Sequence, residues 1–249
     1  MNEIKCPPIS ILTPAYDRRN FLSLMFCNIS CFDYPKQLIT WEILDTYSKD
    51  GKRAEPLFID DNEVKTFEKQ LNIKIKYTYL KKKMEIGEKR NYLSKNADNK
   101  IMINLDSDDL YFPSYLKYSL YLKYSKNVSL TGSNQMLFFN VKNNKFYAIS
   151  CSTLRQMHEA TFCYTKKWWR ATGGYEKSSQ GEGASMVDYM NPNKIANGNI
   201  DGMMCCIVHP NNTIDKKKFL EGKTEVELTK EHLALPHWDI VRKILSNNK

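Results

Sequence analysis

No apolar run in the chain approaches the roughly 18 to 20 residues that a membrane-spanning helix needs. Its longest apolar stretches, such as Met136 to Phe139 and Met203 to Val208, are strand-sized, which excludes an integral membrane protein with no transmembrane segment in view. The start, Met1 to Pro8, has an acidic residue and two prolines where a secretory signal needs a basic end and an apolar core, so secretion is not expected. The seven cysteines contain no CxxC pair, which argues against a zinc ribbon or a thioredoxin-like site and fits reduced thiols in a cytoplasmic protein. Cys27 and Cys31 stand four apart and read as small buried hydrophobes on one helix face rather than as a metal site. No Pro/Gly/Ser-rich break divides the chain and no internal repeat is present, so residues 1–249 read as one domain.

What the chain does have is an ordinary globular inventory, 42% hydrophobic and 26% charged, with an excess of base that leaves a formal charge of +9. Disorder of the whole chain is excluded by that composition. Basic residues cluster at Lys81–Lys83, Lys89–Arg90, Lys166–Lys167 and Lys216–Lys218. A phosphate-bearing or polyanionic partner fits this pattern, although solvated lysine surface accounts for most of it. The Lys- and Asn-rich composition resembles that of AT-rich genomes, those of large DNA viruses among them. A viral chain would then work in the host cytoplasm.

The first half alternates short apolar runs with helical patterns. Strands are expected at about Ile9 to Thr13, Ile39 to Leu44, Leu57 to Ile59, Ile73 to Tyr79 and Ile101 to Leu105. Helices are expected at about Arg18 to Cys31, Asn62 to Leu71, Gly87 to Ala97 and from Pro113 to Tyr124, with the polar stretch Tyr47 to Lys52 as a loop. Such alternation predicts an α/β fold with a mostly parallel sheet. The second half reads as strands at Val128 to Thr131, Asn134 to Val141 and Phe146 to Cys151, with Lys142 to Lys145 as a hairpin turn, then a strand at Met203 to Val208 and a helix at Trp238 to Leu245.

Two constellations carry chemistry. Asp106-Ser107-Asp108-Asp109 follows an apolar strand directly, at the carboxyl end where open α/β sheets bind ligands. Residues two apart on extended chain point the same way, so Asp106 and Asp108 would present their carboxylates together, and hard oxygen ligands without sulfur suit Mn²⁺ or Mg²⁺. Asp109 could instead favour the N-terminus of the helix that begins near Pro113. Gly87-Glu88-Lys89-Arg90-Asn91 opens a helix, where free N–H groups and basic side chains make an anion site. Glu88 and Lys89 also read simply as surface.

Taken in order, Ile11-Leu12-Thr13-Pro14-Ala15-Tyr16-Asp17-Arg18, Trp41-Glu42-Ile43-Leu44-Asp45, Ile86 to Asn91 and Asn104 to Asp109 resemble the GT-A glycosyltransferases of the family-two-like group. The resemblance covers about Ile9 to Pro113, and extends more faintly to His209. It implies a GT-A fold, a Rossmann-like α/β/α sandwich with a small antiparallel extension. Residues 1–113 would form a nucleotide-sugar-binding half, and 114–249 an acceptor-binding half with a helical tail. It further implies that Thr13, Pro14, Tyr16 and Arg18 line the nucleotide pocket, with Asp45 near the base, Arg90 close to the diphosphate, and Ser107 beside the donor. Asp106 and Asp108 would be the metal-binding DxD pair.

Later segments extend the likeness. Trp168 to Tyr175 resembles the stretch beneath the acceptor site, and Gly181-Glu182-Gly183 resembles a Glu-Asp motif whose second carboxylate is replaced by Gly183. The base then falls to Glu182, with Asp188 in reserve. His209-Pro210-Asn211-Asn212-Thr213 resembles a late His-x-x-Asn-Thr segment, making His209 a third metal or diphosphate contact. His158, His232 and His237 have no such context. The polar run from Lys177 to Ser185 reads as a mobile loop that closes over the donor. One departure is visible: the run after the second strand is Asp45-Thr46-Tyr47-Ser48, where the family often has Asp-Asp-Gly-Ser.

The implied activity is metal-dependent transfer of a sugar from a nucleoside-diphosphate donor, a UDP-sugar, to a hydroxyl of a glycan, protein or lipid-linked acceptor, with inversion, and without nucleic acid as a partner. Three other readings compete. A haloacid-dehalogenase-type phosphatase also uses Asp-x-Asp after a strand, but its motif lies near the N-terminus. A sugar-nucleotide pyrophosphorylase needs a Gly-rich loop, whereas Thr13 to Asn20 contains no glycine. A non-catalytic binding module would rest, for nucleic acid, on Tyr77, Tyr79 and Lys81–Lys83 as a stacking and charge surface, and, as a degenerate transferase that only binds glycans, on Gly183 standing where a catalytic carboxylate is expected.

Overall fold

A computed structural model describes residues 6–46, 54–188, 191–210, 212, 216–220, 223 and 225–246. The expected loop Tyr47 to Lys52 lies outside them, as do Asn211 and Thr213. The first half lays down β1 (Ile9–Ala15), α1 (Leu22–Cys31), β2 (Ile39–Thr46), α2 (Asp61–Leu71), β3 (Lys74–Leu80), α3 (Ile86–Asn96) and β4 (Ile101–Asn104). These strands are runs of apolar and β-branched residues, and β2 is buried at every position because both faces of the sheet are covered. Helix α2 starts on Asp60, whose carboxylate accepts from Glu63 N at 2.9 Å, and stops at Asn72, which turns left-handed at φ 53°.

The second half adds β5 (Leu110–Tyr111), α4 (Tyr115–Ser125), β6 (Leu130–Gly132), β7 (Gln135–Asn140), β8 (Lys145–Ser150), β9 (Cys163–Thr165), α5 (Lys166–Ala171), α6 (Ala184–Val187), β10 (Ile195–Asn197), β11 (Met204–Val208), β12 (Glu225–Val226), α7 (Lys230–Leu233) and α8 (His237–Ser246). The central sheet runs β10-β6-β9-β4-β1-β2-β3, and every pairing in it is parallel except those of β9, which is wedged antiparallel between β4 and β6. A second sheet, β12-β8-β7-β11-β5, is antiparallel except for the parallel pair of β7 with β11, and supplies the expected extension. Strand β1 stands between β2 and β4, in register from Ile9 opposite both Ile39 and Ile101. Strand order reverses there, which opens a crevice beyond the carboxyl ends of β1 and β4.

Several expectations shift. No strand forms at 57–59; that segment bends, tied down where Leu57 N donates to Asp45 at 2.8 Å. Pro113 precedes α4 rather than entering its first turn, and helix α1 begins at Leu22 after a short 3-10 turn at Arg19–Phe21. The polar run after Lys177 is anchored rather than loose: Gly87 N donates to Ser178 O at 2.9 Å, Glu176 N to Glu182 O at 2.8 Å, and Ser179 bonds Glu85. A methyl group at Gly87 would stand 1.9 Å from Glu176 O, so this approach of loop to helix requires glycine. One buried apolar cluster extends from Ile9 to Ile244 and draws on both halves of the chain. Among the described residues no helix is long and apolar enough to cross a membrane.

Candidate active site

At the crevice lies a cleft of about 680 Å³, lined from β1 by Pro14 and Ala15, from the following loop by Tyr16 and Arg18, and from the β4–β5 loop by Asp106 to Asp109. That acidic loop is clamped from behind. Asp106 N donates to the Tyr111 hydroxyl at 2.7 Å, and Asn28 binds the backbone on both sides, donating to Asp109 O and accepting from Tyr111 N, each at 2.9 Å. Asp109 is buried beneath the loop, where its Oδ1 accepts from Ile207 N at 2.8 Å and from Lys216 Nζ at 3.0 Å. Burial and the neighbouring carboxylates push Asp109 up to about 6, while Asp109 holds Lys216 protonated against its burial. Asp109 therefore fastens β11 to the loop; the helix that follows gains nothing from it.

Asp106 and Asp108 do not present their carboxylates together. Asp106 Oδ1 accepts from Arg90 Nη2 at 2.8 Å, whereas Asp108 Oδ2 accepts from Arg18 at 3.1–3.2 Å and faces His209 Nε2 at 3.2 Å. Burial opposes the ionisation of Asp108, yet Arg18 and His209 hold it well below the usual carboxylate range. The ligand atoms of Asp106, Asp108 and His209 do not all come within 4.8 Å of one another, because each carboxylate turns to its own cation. His209 is buried, its ring packed 4.7 Å from that of Phe21, and it meets the site through Asp108.

Helix α3 aims its first turns at the cleft, but the two basic residues divide the work differently from expectation. Arg90 does not line the cleft: it is 3% exposed at its side chain and spans Asp106 and Glu182, donating from Nε to Glu182 Oε1 at 3.0 Å. Burial would discharge it, and the two carboxylates hold it charged. Lys89, which reads as surface in the sequence, lines the cleft instead, donating to Ala15 O at 2.8 Å and lying 5.5 Å over the Tyr16 ring. Burial lowers it to about 8, so it remains charged at neutral pH.

Two glutamates, Glu159 and Glu182, also line the cleft. Glu182 is buried and paired with Arg90. Glu159 accepts from Gly183 N at 3.1 Å and makes no ion pair among the described residues. Burial first, then the repulsion of Glu182, pushes Glu159 up to about 7. A Cβ on Gly183 would lie 2.5 Å from Glu159 Cγ, so the Glu159 side chain fills the space that a residue larger than glycine would need. Sequence reasoning missed Glu159, and the lack of a side chain at Gly183 is the signal that hinted at it. His158 was also missed; it lines the cleft, with its pKa lowered to about 4 by burial and its Nδ1 without a hydrogen-bond partner among the described residues.

Three other sequence candidates lie off the cleft. The Thr13 hydroxyl faces into the sheet, where it accepts from Trp41 Nε1 at 2.9 Å, because the strand pleat turns it away from the side that Pro14 occupies. Asp45 is buried behind Thr46, accepting from Leu57 N and from the Tyr77 hydroxyl at 2.9 Å, with its Oδ1 left unpartnered among the described residues. Asp188 sits on the surface at the end of α6, bonded to Arg155 at 2.5 Å, and does not line the cleft. Ser107, Pro14, Tyr16 and Arg18 do line it. Tyr77 is no stacking platform: its ring packs 5.1 Å from Phe58 while its hydroxyl holds Asp45.

No family model matches the sequence, and no curated protein sequence matches it. Solved structures do. S. aureus TarS 1-349 in complex with UDP-GlcNAc superposes with a TM-score of 0.62 at 14% identity, covering 95% of this chain and 71% of that one. The mannosyltransferase PcManGT from Pyrobaculum calidifontis, in complex with GDP-Man and Mn²⁺, gives 0.61 at 12% identity over 98% of this chain and 75% of that one. Against S. aureus TarS 1-349 alone the TM-score is 0.59 at 17% identity, with 80% of this chain aligned and 60% of that chain spanned. The fold is GT-A. A mostly parallel central sheet with additional antiparallel strands is the architecture of this chain that matches these structures.

Proposed function

We propose that the chain is a glycosyltransferase that moves a sugar from a nucleoside-diphosphate donor, a UDP-sugar, to an acceptor hydroxyl by one in-line displacement that inverts the anomeric centre. The observation that carries this reading is a cleft at the strand-order reversal lined by the cations Arg18 and Lys89 and by the carboxylates Glu159 and Glu182. The structural neighbours bound to UDP-GlcNAc and to GDP-Man support it. In this reading the nucleotide lies along Pro14 and Tyr16, and its diphosphate meets the Arg18 guanidinium and the Lys89 ammonium. As the bond from the anomeric carbon to the diphosphate breaks, those fixed cations stabilise the charge that develops on the leaving oxygen. Asp106 and Asp108 are hard oxygen donors that suit Mn²⁺ or Mg²⁺, with the borderline His209 nitrogen beside Asp108; to hold such an ion the two carboxylates would have to turn from Arg90 and Arg18, and the ion would then add charge neutralisation.

The acceptor oxygen attacks the anomeric carbon while its proton passes to a glutamate. Glu182 is engaged by Arg90, whereas Glu159 has no ion-pair partner among the described residues and is pushed up to about 7, near the pH where a general base works best. Arg90 positions Asp106 and Glu182 without touching substrate. Met136, Phe138 and Met157 form an apolar side of the cleft against which a glycan, protein or lipid-linked acceptor would rest. The phosphatase alternative needs Asp106 as a nucleophile, and Arg90 occupies one of its oxygens.

Calorimetric titration with UDP and with GDP, with and without Mn²⁺, tests the proposal on the wild type and on Asp108→Ala. Binding of one nucleotide that requires the metal and is lost in Asp108→Ala is expected. Absence of binding by either nucleotide in the presence of metal overturns it.

A further inference from the structure

On α1, Cys27 and Cys31 stand one helical turn apart, so their side chains share a face. Their sulfurs are 3.9 Å apart. The third member comes from far along the chain: His237, the first residue of α8, packs against this face, and the two sulfurs and a ring nitrogen all lie within 4.8 Å of one another. Among the described residues this is the one group of three such side chains with that convergence. In a tetrahedral zinc site with Zn–S near 2.3 Å, the two sulfurs would be about 3.8 Å apart. The observed sulfur separation matches that edge without rearrangement.

His237 supplies an independent observation. It is fully buried, and neither Nδ1 nor Nε2 has a hydrogen-bond partner among the described residues. A neutral imidazole buried this way leaves both a donor and an acceptor unsatisfied, a cost that native interiors avoid. A cation on one nitrogen removes half of that deficit. Cys31 is only partly buried, so the cluster is within reach of solvent.

We propose that Cys27, Cys31 and His237 form a zinc site that clips the C-terminal helix α8 to α1, with water as the fourth ligand. Two thiolates and an imidazole are soft and borderline donors, which select Zn²⁺ over the hard cations suited to the cleft. This proposal does not depend on the donor reading above. The clip has a structural consequence: α1 also carries Asn28, which binds the backbone of the acidic loop, so zinc would steady that loop from behind.

The test loads the reduced, full-length protein with Co²⁺ and with Zn²⁺. Expected is about one equivalent of Co²⁺ showing the thiolate-to-metal charge-transfer band, displaced by Zn²⁺, together with a zinc-dependent rise in thermal midpoint. Cys31→Ser and His237→Asn should each weaken binding on the order of tenfold or more. Asp108→Ala should leave the band intact, because the cleft offers no sulfur. If the folded, reduced wild type binds Co²⁺ without a thiolate band, or if Cys31→Ser, at the partly exposed ligand, binds as the wild type does, the site is refuted and the three side chains are core.

Discussion

Glu159 and Glu182 line one cavity in unlike settings, and the difference fixes what each substitution should do. Glu159→Gln is expected to lower donor turnover by about 10²- to 10⁴-fold while leaving UDP binding unchanged, as loss of a general base does. In the wild type, turnover should rise as pH increases through about 7, where Glu159 loses its proton; the variant should lose that limb. Stability moves the other way. The folded-state pKa lies above the ordinary 4.5, so the folded form holds a proton that the unfolded chain has released, and stability falls as pH rises between those values. Thermal scans at pH 5 and pH 8 should show Glu159→Gln gaining on the wild type at the higher pH. Arg90→Met leaves the buried Glu182 and its neighbour Asp106 without their shared cation. It should cost roughly 3 to 5 kcal/mol by chemical denaturation.

Helix α3 shows how an element converts a weak sequence signal into a site. Gly87 lets the Glu176–Glu182 loop lie against the helix start, and the turn after it delivers Lys89 to β1 and Arg90 to the two carboxylates. Gly87→Ala should destabilise the fold by about 1 to 3 kcal/mol, and limited proteolysis should then cut between residues 177 and 183 faster than in the wild type. Equal cleavage of both proteins would show that the loop does not depend on this contact. The elements a reader of the sequence can find are those whose burial follows a local pattern: β1, β2 and β4 are largely apolar runs with Pro14, Asp45 and Asp106 at or just beyond their carboxyl ends. The three-residue strands β9 and β10 carry no such period, because their pairing partners lie far away in the chain. Glu159 was hidden for the same reason, being placed beside Glu182 by tertiary contact across 23 residues of chain. Lys89 and Arg90 were legible as a basic pair, but only packing shows which of them reaches the cleft.

At the scale of the whole molecule, a ligand that binds only the folded state must raise its stability. A nucleoside diphosphate at one hundred times its dissociation constant contributes about 2.7 kcal/mol. At roughly 2 to 4 °C per kcal/mol for a chain of this size, the thermal midpoint should rise by about 5 to 11 °C with the nucleotide the cleft accepts, and by none with the one it rejects. Differential scanning fluorimetry with UDP and GDP in parallel checks this.

Strand β9 also bears on where the chain can be cut. It is the sole partner of β4 on the side away from β1, and it arrives nearly 60 residues after β4 has been made. A fragment ending at residue 113 would leave Ile101, Met102 and Ile103 as a bare, apolar strand edge, the kind of template on which further strands add. Such a fragment should be recovered in inclusion bodies, and during synthesis the nascent N-terminal half must wait, exposed to self-association, until β9 clears the ribosome.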